Sequence, residues 1–170
     1  MLVYGLFPVR SGEPDVPKRS AGLLMYRGSG AALAVLLVHP GGPFWASKDL
    51  GAWSIAKGEY AAGEDPLAVA QREFAEETGA RPGGAFQPLG EVVQAGGKRV
   101  TAWAVEGDFD PATLVSNRFE TEWPPRSGRK RSFPEVDRAA WFAPGEAMEK
   151  INAGQRAFID RLVALVGTGE

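Results

Sequence analysis

The sequence predicts an α+β domain in which a mostly buried sheet carries helices on both faces. Three observations point there. "AGLLMYR" (21–27) and "LAVLLVHP" (33–40) are strand-length runs of nearly continuous apolar character, as in strands covered on both sides. Between Asp65 and Gly79 lies a helix with its own start and stop signals. Near the C-terminus, Phe158, Leu162, Leu165 and Val166 recur at helical spacing. A chain of 170 residues is long enough to bury one core. The expected organisation is an extension or linker over 1–19, one domain over 20–166 and a tail over 167–170.

The elements follow in chain order. "LVYGLF" (2–7) reads as an added strand or a tail, and "SGEPDVPKRS" (11–20) as a proline-bearing linker. The first two strands flank the turn "GSG" (28–30). "GGPFWASKDLGAWSIAKG" (41–58) reads as a glycine- and tryptophan-rich loop or short-strand region. The helix begins with Asp65 as N-cap and Pro66 in its first turn, and ends at Gly79. At 100° per residue, Leu67, Ala70 and Phe74 share the face that meets the core, while Glu73, Glu76 and Glu77 lie on the adjoining face. "FQPLGEVV" (86–93) and "KRVTAWAVEGDF" (98–109) read as strands around the turn "AGG". Residues 116–135, polar and basic, read as a long functional loop. "RAAWF" (138–142) reads as a short strand before the C-terminal helix.

Composition narrows the function. A net charge of −2 offers no basic excess for duplex nucleic acid. Without cysteine there are no disulfides or thiolate metal sites, and a lone His39 provides no histidine cluster for zinc. At a strand end, His39 reads as structural. No apolar run reaches membrane-span length and the start does not resemble a secretory signal, so the expectation is a cytoplasmic protein.

The acidic helix demands an explanation. Two carboxylates about 4 Å apart repel by roughly 4 kcal/mol at an effective dielectric near 20. Several held together take up protons or bind a cation. The competing reading is a solvated face in which Arg72 pairs with Glu76 one turn on.

The spacing favours the cation. Gly58, Glu64, Arg72, Glu73, Phe74, Glu76, Glu77, Gly79 and Ala80 all fall in register with the Nudix box, which segment 58–80 closely resembles. At about 7% usage per residue, the seven fixed positions match by chance on the order of once in 10⁸ starts. Ala80 is smaller than the aliphatic residue usual there.

The resemblance implies an α/β/α sandwich around a mixed sheet, with a catalytic loop–helix–loop. It implies magnesium-dependent hydrolysis, with manganese the alternative ion, of a nucleoside diphosphate linked to another group. Glu73, Glu76 and Glu77 become the first-choice metal ligands, with the Lys57 carbonyl a further one and Glu64 a candidate for a second metal. Arg72 would orient a glutamate. The general base comes from the box or a later loop, where Glu120, Glu122 and Glu135 are candidates.

"WSIAKGEY" (53–60) resembles the approach to the box in diadenosine polyphosphate hydrolases and RNA 5′-pyrophosphohydrolases, with Ala56 in place of proline. The chain as a whole resembles a bacterial group of predicted Nudix pyrophosphohydrolases. The implied substrate is a dinucleoside polyphosphate or nucleoside triphosphate. ADP-ribose, a nucleotide sugar and an RNA 5′ end are alternatives, as is a non-catalytic Nudix-fold sensor. Lys57, Arg126, Arg129 and Arg131 are candidate phosphate contacts; Trp45, Trp123 and Phe133 are candidates to stack on a base. A basic loop of this kind counts phosphates and does not read a base edge.

Overall fold

The computed structural model describes residues 18–166, so the expectations for "LVYGLF" and for most of the linker lie outside the described residues. The elements are β1 (Arg19–Arg27), β2 (Ala34–Pro40), β3 (Ala56–Glu59), α1 (Pro66–Thr78), β4 (Phe86–Val93), β5 (Arg99–Glu106), β6 (Arg118–Glu122), β7 (Lys130–Pro134), β8 (Val136–Phe142), α2 (Pro144–Lys150) and α3 (Arg156–Val166). Among the described residues, no helix is long and apolar enough to cross a membrane.

The sheet is mixed, as expected. Its strand order is β4-β5-β1-β2-β8, and β3 also pairs with β1. Strand β1 lies parallel to β5 along Arg19–Tyr26 and antiparallel to its other neighbours. On one edge it holds β3 through Ser20–Leu23 and then β2 through Tyr26 and Arg27. That division exposes an edge of β3 beside α1.

Alternation along β1 sends Leu23 and Met25 to the α1 side, Leu24 and Tyr26 to the α3 side. Both faces are covered, which is why the apolar runs are continuous. Val69, Ala70 and Phe74 of α1 are buried against Leu23, Leu36 and Val38. Leu67 is only partly buried at the margin of that cluster. The far face packs Phe158, Ile159 and Leu162 of α3 with Trp53, Ile55 and Ile151. Leu165, expected in that core, is 48% exposed; Ile159, six residues earlier, is buried there instead.

Both ends of α1 follow the sequence signals. The Asp65 carboxylate accepts from the Ala68 N–H at 3.2 Å, satisfying one of the free donors of the first turn. Gly79 closes the helix in the left-handed region at φ 84°, where a Cβ would be strained.

Two expectations are corrected. Residues 116–135 are mainly a β-hairpin, Arg118–Glu122 pairing with Lys130–Pro134, and not a loop. In β6 charged residues alternate with Phe119 and Thr121, a period-2 pattern that polar composition masks. Helix α2 was not foreseen. Its Pro144 start leads to Ile151, which bridges to Trp53 and ties the C-terminal segment to the stretch just before β3.

Phe74 is the largest fully buried side chain of α1. Phe74→Ala should cost about 3–5 kcal/mol of folding stability. Urea unfolding with an unchanged m-value would register it; a loss below about 1 kcal/mol would show that α1 is not anchored there.

Candidate active site

The box lies where α1 passes the free edge of β3. A Cβ built on Gly58 would lie 2.1 Å from Glu73 Cδ and within 2.4 Å of both its carboxylate oxygens. A side chain at this position would push the Glu73 carboxylate aside. One residue earlier, the Lys57 N–H donates to Glu77 Oε2 at 3.1 Å. Because N–H and C=O of a strand residue point to the same edge, the Lys57 carbonyl shares that edge with Glu77.

Arg72 joins the acidic residues. Its guanidinium lies 3.3 Å from Glu64, 3.6 Å from Glu73 and 3.9 Å from Glu76. Glu64 also accepts from the Ala61 N–H at 3.0 Å. That hydrogen bond, with Arg72, holds the Glu64 carboxyl below its ordinary range.

Glu73 and Glu77 both shift the other way from Glu64. Burial raises the Glu73 carboxyl, reinforced by Glu76 and Glu135 and opposed by Arg72. Burial pushes Glu77 up to about 8, with Glu73 and Glu135 adding to the rise and Lys57 opposing it. Lys57 is itself drawn down to about 8 by burial and by the Lys98 ammonium.

Of the three loop carboxylates, Glu135 is brought to this cluster. With Glu77, Ser54, Lys57 and Pro40 it lines a cleft of about 140 Å³. Gly41 N–H donates to its carbonyl, and its own N–H donates to the Asn117 carbonyl, so two loops fix its backbone. Glu120 and Glu122 alternate with Phe119 and Thr121 and occupy the other face of the hairpin.

The remaining expected substrate residues divide. Trp45 and Lys57 line one cleft of about 230 Å³. Arg131 sits 5.9 Å from the Phe133 ring centroid, on the hairpin face whose Phe119 packs against Gly42. Arg126 and Arg129 are exposed at the hairpin turn, with no ion pair among the described residues. Trp123 packs edge-on against Phe44 at 6.1 Å. His39 is buried, bonded to the Lys48 carbonyl at 2.7 Å and to Asp137 at 2.8 Å, as its structural reading requires.

Sequence reading overlooked the amides of Gln94, Asn152 and Gln155, which line the Trp45 cleft. They come from three separate segments, and no short-range spacing links them.

The Glu77 shift sets a pH dependence. Its folded value of about 8 exceeds the ordinary 4.5, so the folded protein holds this proton more tightly than the unfolded chain. The resulting stability is present in full below about pH 4.5 and is lost as pH rises to about 8. Lys57 has the opposite sign: between about 8 and 10.5 the unfolded chain binds more protons, so stability recovers there. Metal-free thermal melts should fall from pH 4.5 to 8 more steeply for wild type than for Glu77→Gln. Parallel curves would remove Glu77 from the titration.

The sequence matches the NUDIX domain over residues 16–162. A C. elegans Ap4A hydrolase in a binary complex shares the fold at a TM-score of 0.58 and 20% identity, over 86% of this chain and 96% of that one. The NUDIX domain of Shewanella oneidensis NrtR, complexed with ADP ribose, gives 0.60 at 14% identity over 95% and 94%. The C-terminal domain of mouse MUTYH, in complex with human PCNA, gives 0.57 at 18% over 88% and 90%. At such identities the likeness is one of fold. No curated protein sequence matches significantly. With a domain match along most of the chain and an unbroken box on α1, the protein belongs to the Nudix family of hydrolases acting on pyrophosphate bonds.

Proposed function

We propose that this chain is a magnesium-dependent pyrophosphohydrolase that cleaves a phosphoanhydride in a nucleoside diphosphate linked to another group, a dinucleoside polyphosphate or a nucleoside triphosphate. One observation carries the reading: Glu73 and Glu77, both with carboxyls raised by burial, are held together at the free edge of β3, with Glu135 near both. Such a site favours a cation.

The donors fit magnesium. They are all oxygens, the carboxylates of Glu73, Glu76 and Glu77 and the Lys57 carbonyl. Among the described residues no three carboxylates form a finished cage. When bound, the ion would neutralise phosphate oxygens and make a water more acidic.

The protein groups divide the remaining work. Gly58 and the Lys57 N–H fix the positions of Glu73 and Glu77. Arg72 orients Glu73 and Glu76, while Glu64, already engaged by Arg72 and Ala61, holds Arg72 and is not assigned to metal. Glu135 is assigned as the base that takes a proton from the attacking water, because it is the loop carboxylate in the cleft. The Lys57 ammonium contacts phosphate; Arg131 and Phe133 lie on the hairpin face nearest the 41–45 loop.

Glu76→Gln or Glu77→Gln should lower kcat at least about 10²-fold, equivalent to roughly 2.7 kcal/mol of transition-state stabilisation. The wild type should melt higher when magnesium is added, and the variants should gain less. Near wild-type turnover in both variants, or full activity in chelator, would defeat the metal assignment. Phosphate release from mixed nucleotides separates an enzyme from a sensor module.

Gly58→Ala tests the positioning separately. The added methyl group must displace the Glu73 carboxylate, so kcat should drop by about 10²-fold while the protein stays folded. Unchanged kcat with an intact melt would show that Glu73 need not sit against β3.

A further inference from the structure

The cleft holding Trp45 lies next to the carboxylate cleft, and the two share Pro40, Ser54 and Lys57. A molecule with phosphates at Glu77 and Glu135 would extend past Lys57 toward Trp45. What awaits it there is set by a chain of amides whose orientation begins at the backbone.

Gln155 is 1% exposed, and its Oε1 accepts from the buried Ile55 N–H at 3.0 Å. Its Nε2 must then be the donor, and it donates to Ser54 Oγ at 3.0 Å and Gln94 Oε1 at 3.1 Å. With that oxygen engaged, Gln94 keeps its NH₂ for the cleft. Asn152 is set in the same way: its Oδ1 accepts from the Gly154 N–H at 2.9 Å, leaving Nδ2. Neither NH₂ group has a protein partner among the described residues. Flipping Gln155 would leave the buried Ile55 N–H without an acceptor, and flipping Asn152 would do the same to Gly154. Gln94 cannot flip without setting its NH₂ against that of Gln155.

Beyond Lys57, which serves the phosphates where the two clefts meet, the cleft therefore presents two amide NH₂ donors. Trp45, 38% exposed and with the Lys48 ammonium 5.0 Å from its ring centroid, lines the same cleft. Donors in this number suit a base edge made of acceptors. A 6-oxopurine offers O6 and N7, both acceptors, whereas adenine places the N6 amino donor beside N7. An adenine amino group would meet donors and lose its water.

We infer that this cleft is a base-selective subsite that takes a 6-oxopurine in preference to adenine, with the Gln94 and Asn152 amide nitrogens as the discriminating groups. The inference rests on the nucleotide-hydrolase reading for what occupies the neighbouring cleft. It adds a preference that the basic hairpin cannot provide.

Calorimetric titration in the presence of magnesium, using GMP, IMP and AMP, which hold no phosphoanhydride to cleave, tests it apart from catalysis. GMP and IMP should bind at least about 10-fold tighter than AMP. Gln94→Glu and Asn152→Asp keep the internally bonded oxygen and turn the outward donor into an acceptor. Each should shrink that ratio about 10-fold, with melts showing the fold retained. Turnover should show the same preference for GTP over ATP, expressed mainly in KM. Equal or tighter AMP binding, no binding of any of the three, or variants that weaken all three equally would overturn the subsite. Base-selective binding without hydrolysis of any nucleotide would sink the hydrolase reading and leave the subsite standing. Hydrolysis without base discrimination would do the reverse.

Discussion

The close approach of α1 to β3 is the constraint on which the site depends. Gly58 has no room for even a methyl group beside the Glu73 carboxylate. Lys57 spends its edge N–H on Glu77. Holding acidic side chains this close is unfavourable electrostatically, and the apolar face of the same helix offsets it. Val69, Ala70 and Phe74 are each at most 2% exposed beneath the sheet. Fully burying a large apolar side chain is worth about 1.5–3 kcal/mol, so one face can hold the other in place. The helix is a lever, and the core holds its long arm.

Arg72 tempers this repulsion without abolishing it. It lies nearest Glu64, the carboxylate whose acidity is strengthened, and farther from Glu73 and Glu76. Being about half exposed, the guanidinium contributes little stability by itself. Its effect is geometric: one planar cation touches three carboxylates from the loop and the helix. The box therefore contains a part that neutralises its own charge and a part, around Glu77, that does not.

Local signals made part of this legible in the sequence. Both caps of α1 were readable because Asp65, Pro66 and Gly79 act within a turn of where they stand. The buried strands were readable because sandwiching between helices leaves no polar face. The hairpin was hidden by its charge: Arg118, Glu120, Glu122, Lys130 and Arg131 read as loop, although Phe119 and Phe133 lie opposite each other in register. Leu165 was misplaced because the helical period alone cannot tell where the core ends. For the site, the spacing identified the acidic set but could not choose among Glu120, Glu122 and Glu135. Strand alternation turns Glu120 and Glu122 away, and the backbone bonds to Gly41 and Asn117 hold Glu135 in the cleft. The amide cleft was illegible, since Gln94, Asn152 and Gln155 meet through tertiary folding alone.

Residue 57 shows how the two clefts became one device. Strand alternation sends Ala56 and Gly58 toward α1, where Ala56 joins the core and Gly58 admits Glu73. The Lys57 side chain must then leave on the other face, toward Gln94 and Trp45. Its backbone stays in the strand plane and reaches Glu77 across the free edge. A single residue thus gives its amide to the acidic cluster and its ammonium to the neighbouring cleft. This works because β3 is short and pairs on one side only: a strand hydrogen-bonded on both edges would have no N–H left for a glutamate. The open edge, usually a liability in a sheet, is covered here by the carboxylate it orients.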